Sequence, residues 1–138
     1  MRCVCLISIL FFFASPFVSA QKDSLLGQWQ NELGSILVID TVSDSGEIVG
    51  AYQSSSGVDG KVFALQGFVN EITDSEVVSV AFSVRWEGYG SITSWTGFLD
   101  RDKGGLYLKT LWHLVRPGEQ EPWERIITNS STFRRSGS

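Results

Sequence analysis

The feature that most constrains this fold is an alternation of apolar and polar residues with a period of two. It is clearest where Val78, Val80, Phe82, Val84 and Trp86 alternate with Ser79, Ala81, Ser83 and Arg85. Successive side chains of a strand point to opposite faces of a sheet, so this pattern predicts a strand with one buried face. Beyond the first twenty residues, no segment has a convincing helical period. The chain is therefore predicted to be all-β.

Alternating segments follow one another along the chain with short turns between them. Eight strands are predicted, at Leu26–Asn31, Ser35–Val42, Glu47–Ser54, Lys61–Asn70, Val78–Trp86, Ser91–Asp100, Leu106–Leu114 and about Pro122–Arg134. Strands joined by short turns favour an antiparallel up-and-down order, and closure into a barrel removes both sheet edges. An eight-stranded antiparallel β-barrel is therefore predicted, with room inside for one small ligand.

The N-terminal segment is typical of a signal peptide. Arg2 gives a positive start, Val4 to Val18 is mostly apolar, and Val18-Ser19-Ala20 ends in a small residue suited to cleavage. The apolar run is too short for a stable membrane anchor, which is the alternative interpretation. We therefore expect a signal peptide at residues 1–20 and a secreted, single-domain barrel at residues 21–138. Cys3 and Cys5 lie in the segment to be removed, so the secreted chain is expected to have no disulfide.

Charge and residue types argue against several function classes. Removal of Arg2 changes the formal net charge from −4 to −5, and the only basic pair is Arg134-Arg135, which argues against nucleic acid as a partner. His113 is the only histidine and is predicted on the outer face of a strand. No nucleophile or metal-ligand set accompanies it. The sequence therefore predicts neither an enzyme nor a metal or cofactor site.

Tryptophan and hydroxyl or amide side chains share strand faces. Trp29 lies two residues from Asn31, Trp95 two residues from Thr93, and the chain has five tryptophans in all. Large apolar walls with a few hydrogen-bonding groups are typical of a small-molecule cavity. The tryptophans could equally be the plain core of a barrel, and their number alone does not decide between the two.

Six motifs, in order, resemble those of the avidins and streptavidins. The opening segment, Gly27-Gln28-Trp29-Gln30-Asn31 with Gly34-Ser35, resembles their Gly-x-Trp-x-Asn-x-x-Gly-Ser signature. The others are Gly50-Ala51-Tyr52, Phe82-Ser83-Val84-Arg85-Trp86, Ser91-x-Thr93-x-Trp95-x-Gly97, Leu108-Lys109-Thr110-Leu111-Trp112-His113-Leu114 and Trp123. The resemblance covers nearly the whole expected secreted chain, and several motifs in register are far more specific than any one of them.

The resemblance implies a secreted protein that binds biotin tightly and non-covalently in the barrel mouth. By resemblance, Asn31, Ser35 and Tyr52 donate to the ureido carbonyl oxygen, and Ser54 accepts from one ureido N–H. Ser131 stands where the family usually has Asn or Asp to accept from the second N–H, unless the alignment is shifted by two residues to Asn129. The other implied contacts are Thr93 near the thioether sulfur, Ser91 near the carboxylate, and Trp86, Trp95, Trp112 and Leu114 around the rings.

Assembly is implied as well. By resemblance, Trp123 closes the pocket of a neighbouring subunit in a homotetramer, and the loop Ser55–Gly60 orders over the ligand. That loop is rich in small residues and is expected to pack poorly and to be mobile. Asn129-Ser130-Ser131 matches a glycosylation sequon, but inward-facing Asn129 is expected to be hidden and the sequon unused. The family suggests biotin sequestration as a defence against microbes.

A lipocalin-like carrier of another hydrophobic ligand is the main alternative. Lipocalins also begin with Gly-x-Trp, here Gly27-Gln28-Trp29, and also place an arginine near the last strand, here Arg134 or Arg135. Against this, the chain is short, has no C-terminal helical pattern, and has three further tryptophans where a wider lipid cavity would have aliphatic residues.

Overall fold

The computed structural model describes residues 21–58, 60–72 and 75–136 and confirms the predicted all-β barrel. The strands are β1 Gly27–Asn31, β2 Ile36–Val42, β3 Glu47–Gln53, β4 Val62–Asn70, β5 Val78–Trp86, β6 Ser91–Asp102, β7 Gly105–Val115 and β8 Ile126–Arg135. Each strand pairs antiparallel with the next, and β8 pairs with β1 to close the barrel. The predicted signal peptide and the loop residue Asp59 lie outside the described residues.

The start of the last strand is the main correction to the predicted boundaries. The sequence pattern places it at about Pro122, whereas β8 begins at Ile126 and a short 3-10 helix occupies Pro122–Glu124. Proline has no N–H for a strand ladder, and its fixed φ suits the first position of a helix. The prediction was wrong here because the alternation was followed through this proline.

The barrel interior is built by the inward positions of all eight strands. Along β5, Val78, Val80, Phe82, Val84 and Trp86 are all buried, as their alternation predicts. Where strands approach most closely, the inward position has no room for a side chain. A Cβ atom built on Gly50 of β3 would lie 2.0 Å from the carbonyl oxygen of Val38 in β2, so only glycine fits there.

The two ends of the barrel differ. The closed end carries the β2–β3, β4–β5 and β6–β7 turns together with residues 21–26 and the end of β8. There Gln21 donates to the carbonyl oxygen of Ser75 at 2.9 Å, and the ammonium of Lys22 donates to that of Asp44 at 3.0 Å. Residues 21–26 thereby tie the chain start to two of the closed-end turns.

Trp29 is the centre of the closed-end packing. Its side chain is fully buried, and its indole N–H donates to the carbonyl oxygen of Leu25 at 2.9 Å. The guanidinium of Arg135 lies 4.2 Å from the Trp29 ring centre and donates to the carbonyl oxygens of Leu26 and Ser24. This stacking joins the first and last strands, because Trp29 and Arg135 are directly paired between β1 and β8.

The open end carries the β1–β2, β3–β4, β5–β6 and β7–β8 loops. The predicted polar ligand-contacting residues lie on strands and loops near this end, so it holds the candidate site. Among the described residues, no helix is long and apolar enough to cross a membrane.

Candidate ligand-binding site

The turn between β1 and β2 fixes the orientation of Asn31. Its side-chain oxygen accepts from the backbone N–H groups of Leu33 at 3.1 Å and Ser35 at 2.8 Å. The turn itself needs glycine at Gly34, whose φ is 88°. With the amide oxygen of Asn31 held against the turn, its NH2 group is directed away from the turn, toward the buried Ser131. That group lies 3.5 Å from the hydroxyl of Ser131.

Ser35 and Tyr52 are buried beside Asn31, the first just before β2 and the second on β3. The Ser35 hydroxyl donates to the Ser55 hydroxyl at 3.2 Å and accepts from the Ser55 backbone N–H at 3.1 Å. Burial raises the pKa of Tyr52, while its hydrogen bond with Ser35 acts in the opposite direction. The raised pKa keeps the phenol protonated, so Tyr52 can serve as a hydrogen-bond donor.

Aromatic rings form the walls around these donors. The Tyr52 ring centre lies 4.9 Å from that of Trp95 and 5.9 Å from that of Trp86, in the second case edge to face. Trp86 is held by Thr93, whose hydroxyl accepts from the Trp86 indole N–H at 2.8 Å. Trp95 lies directly opposite Trp112 in the β6–β7 pair. Tyr52, Trp86, Trp95 and Thr93 are thus in contact around one interior space.

Ser131 lies at the β8 side of the same space. It is 3% exposed, and its hydroxyl accepts from the Trp112 indole N–H at 3.2 Å. Asn129, the alternative in a shifted alignment, lies on the same strand but is exposed, and its side-chain oxygen accepts from the backbone N–H of Ser130. The expectation that Asn129 is hidden was wrong, because alternation fixes the face of a strand but not the depth of a residue in the barrel.

The remaining predicted contacts lie closer to solvent. Ser54, Ser91 and Leu114 are half-buried, and the Ser54 hydroxyl accepts from the backbone N–H of Ser56 at 3.3 Å. Trp123 is 75% exposed in the 3-10 helix and stands apart from the interior cluster of its own chain. The structure therefore brings together the strand residues of the predicted site and leaves Trp123 on the surface.

Two residues of the open end were missed from the sequence. Phe63 of β4 is buried opposite Tyr52, and its ring centre lies 4.9 Å from that of Trp86. The alternation of Phe63 with Leu65 carried the signal for its inward position. Val58 is buried in the core although its loop was expected to pack poorly, so that expectation was wrong at this residue. A single valine among small loop residues can fill space left by the barrel walls.

Metal ligation is not suggested by the geometry. Within the residues that the structure describes, no group of three or more His, Cys, Asp or Glu side chains is placed to hold a metal ion. The chemistry available in the interior is hydrogen bonding by neutral side chains and contact with aromatic faces.

Comparison with known proteins identifies the family. The model of the Avidin family matches residues 19–136. Avidin from Gallus gallus is 37% identical over 105 residues, which is 72% of this chain and 68% of that protein. Avidin-related protein 4/5 from Gallus gallus is 35% identical over 103 residues, again 72% of this chain and 68% of the relative.

Solved structures agree with the sequence relatives. The crystal structure of Xenavidin is 35% identical, has a TM-score of 0.72, and is aligned over 83% of this chain and 99% of its own. A chicken biotin binding protein is 27% identical, with a TM-score of 0.73 and coverage of 83% and 99%. Avidin-family proteins are binding proteins and not enzymes. On the motifs, the barrel and these matches together, this chain is a member of the avidin family.

Proposed function

We propose that this protein binds biotin non-covalently at the open end of the barrel. The observation that carries the proposal is the grouping of three buried polar residues, Asn31, Ser35 and Tyr52, supplied by β1, β3 and the turn between β1 and β2. On binding, the Ser35 hydroxyl would turn its hydrogen from Ser55 to the ligand. Biotin offers a ureido carbonyl oxygen that can accept several hydrogen bonds at once. Donors that are already fixed in place stabilise such an oxygen without further reorganisation.

The aromatic walls suit the rest of the ligand. The fused rings of biotin are compact and largely apolar, and contact with Trp86, Trp95 and Trp112 would bury them. Ser54 supplies an acceptor for one ureido N–H, and Ser91 and Thr93 lie on the neighbouring strand β6 for the carboxylate and the sulfur. The similarity to a solved biotin binding protein from chicken supports this ligand.

We further propose assembly into a homotetramer in which Trp123 covers the pocket of a neighbour. Trp123 is 75% exposed, which is unusual for so large an apolar side chain. Outward apolar residues on the barrel add surface for association, among them Val62, Phe68 and Leu111, each 63% exposed. Secretion after removal of residues 1–20, and sequestration of biotin as a defence, complete the proposal and rest on the resemblance.

Calorimetry with biotin on the purified chain of residues 21–138 tests the proposal. We expect tight binding of one biotin per chain. A matched pair of variants gives the control: Ser35→Ala removes a buried hydroxyl at the site, whereas Ser83→Ala removes one from the outer face of β5. Only Ser35→Ala should weaken binding. Absence of biotin binding, with retention of a hydrophobic dye, would favour the lipocalin-like alternative instead.

A further inference from the structure

One side of the interior presents hydrogen-bond donors and has no acceptor to spare. The indole N–H of Trp112 and the NH2 group of Asn31 both point to the hydroxyl oxygen of Ser131, at 3.2 and 3.5 Å. Asn31 cannot reverse its amide without losing two backbone hydrogen bonds, those from Leu33 and Ser35. The β1–β2 turn therefore determines that Asn31 presents a donor, and not an acceptor, to this side of the interior.

Counting lone pairs shows what Ser131 has left. A serine hydroxyl accepts at two lone pairs and donates one hydrogen. The two N–H groups take both lone pairs, so the free function of Ser131 is its O–H. Trp95, directly opposite Trp112, adds a buried indole N–H that has no hydrogen-bond partner among the described residues. Asn31, Trp95, Trp112 and Ser131 together are called the donor wall.

Ser54 differs from Ser131 in the number of hydroxyl lone pairs that already accept a hydrogen bond. Its hydroxyl accepts one hydrogen bond, from the backbone N–H of Ser56 at 3.3 Å, and no second donor to it is found among the described residues. Ser54 can therefore accept from a ligand N–H. Ser131 can do so only if Asn31 or Trp112 gives up its hydrogen bond, which leaves a buried donor unsatisfied and costs binding free energy.

We propose that the donor wall selects for a ring with a hydrogen-bond acceptor at the position where biotin presents its second ureido N–H. The ligand class then includes five-membered cyclic carbamates, in which a ring oxygen replaces that nitrogen. This inference rests on the proposed function, since it assumes that the ureido ring lies between Ser54 and Ser131. Asp or Asn at residue 131 would give the opposite preference, because each supplies additional acceptor capacity.

Two carbamate analogues of biotin test the inference, each with oxygen in place of one of the two ureido nitrogens. Both analogues have the same change at the carbonyl group. A difference between their affinities therefore reports only on which side of the ring the oxygen lies. Calorimetry is run on the unaltered protein and on Ser131→Asp. The isomer whose affinity falls in Ser131→Asp, relative to biotin, is the one whose oxygen faces residue 131. In the unaltered protein that same isomer should bind about tenfold more tightly than the other.

Ser131→Ala is the second variant, and thermal melting shows whether each variant is folded. Ser131→Ala should reduce the difference in affinity between the two isomers, because the substitution removes the O–H that faces the ligand. Equal affinities for the two isomers in the unaltered protein, with biotin still bound tightly, would overturn the inference and leave the proposed function intact. Binding of one carbamate without biotin would overturn the proposed function, and with it the ring placement on which the inference rests. Binding of none of the three would overturn both.

Discussion

The two ends of this barrel satisfy their polar groups in different ways. At the closed end, the indole of Trp29 donates to Leu25 and the guanidinium of Arg135 donates to Ser24 and Leu26. At the open end, the indole N–H of Trp95 is buried without a partner among the described residues. The Trp29 and Arg135 arrangement is complete within the chain, whereas the Trp95 indole N–H remains available to a group from outside the chain.

This difference separates stability from binding. Buried polar groups without partners reduce the free energy of unfolding, and at a binding site a ligand can satisfy them. The closed end joins β1 to β8 and can maintain the barrel while the open end keeps unused hydrogen-bonding capacity. Substitutions at the two ends should therefore change different measured quantities.

The largest effect is expected from Trp29→Ala at the closed end. The substitution leaves a cavity in the core, removes the surface on which Arg135 stacks and deletes the hydrogen bond to Leu25. The free energy of unfolding should fall by about 3–5 kcal/mol, measured by urea denaturation. Ile72→Ala is the control, because that side chain is 74% exposed and its loss should hardly change the stability. Equal stability of the two variants would contradict the assigned role of the closed end.

Tyr52→Phe at the open end should weaken biotin binding and leave the stability almost unchanged. It removes one donor to the ligand but keeps the ring that packs between Trp86 and Trp95. Loss of such a hydrogen bond costs ~1–3 kcal/mol, so the biotin affinity should fall by roughly 5- to 150-fold in calorimetry. The urea midpoint should change little. A large loss of stability with unchanged affinity would mean that Tyr52 supports the fold and not the ligand.

Trp123→Lys should act at the open end of a neighbouring chain. If Trp123 covers that pocket, biotin should be released roughly tenfold faster in a competition experiment, because an apolar cover is replaced by a hydrated cation. Gln120→Lys is a matched control, since it adds the same charge at an exposed position close by. Unchanged release from a confirmed tetramer of Trp123→Lys would argue against a shared pocket.

The strands were predictable because burial on one side leaves a period-two pattern in the sequence. Strand β5 has the predicted bounds, Val78–Trp86, and only Pro122 misled the prediction of a strand start by several residues. The predicted inward face of β5 and the predicted outward position of His113 in β7 also agree with the structure. Local sequence carried this information because each strand has its own alternation.

The depth of a residue within the barrel and the hydrogen-bonding role of its side chain were not predictable in the same way. The burial of Val58 and the exposure of Asn129 depend on where the barrel ends, which the alternation does not encode. The lone pairs of Ser131 are used by Trp112, 19 residues away, and by Asn31, 100 residues away. Sequence reasoning placed Ser131 in the site as an acceptor, but only the assembled barrel reveals that its acceptor capacity is already used.

The pH dependence of binding gives a smaller and more specific contrast. Burial raises the pKa of Tyr52 above its ordinary value of 10.0, so its hydroxyl stays a donor to higher pH than a free phenol. The stabilisation from protonated Tyr52 is complete below pH 10 and is lost as pH rises through the raised pKa. Biotin affinity should therefore be constant from pH 7 to about 10 and decrease only above that range. The Tyr52→Phe variant should lack this alkaline decrease.

The smallest effect is expected from Asp102→Asn at the end of β6. Asp102 forms a surface ion pair with Arg134 at 2.6 Å, and that hydrogen bond lowers the pKa of the Asp102 carboxyl. Exposed pairs are screened by solvent, so the urea midpoint at pH 7 should move only slightly. Because the pKa is lowered on folding, the contribution is present above the ordinary value of 3.8 and is lost as pH falls through the lowered pKa. The difference between the two proteins should thus disappear in acid, while biotin affinity at pH 7 stays the same. A change in affinity would mean that the two ends are coupled, and the separation of stability from binding would have to be abandoned.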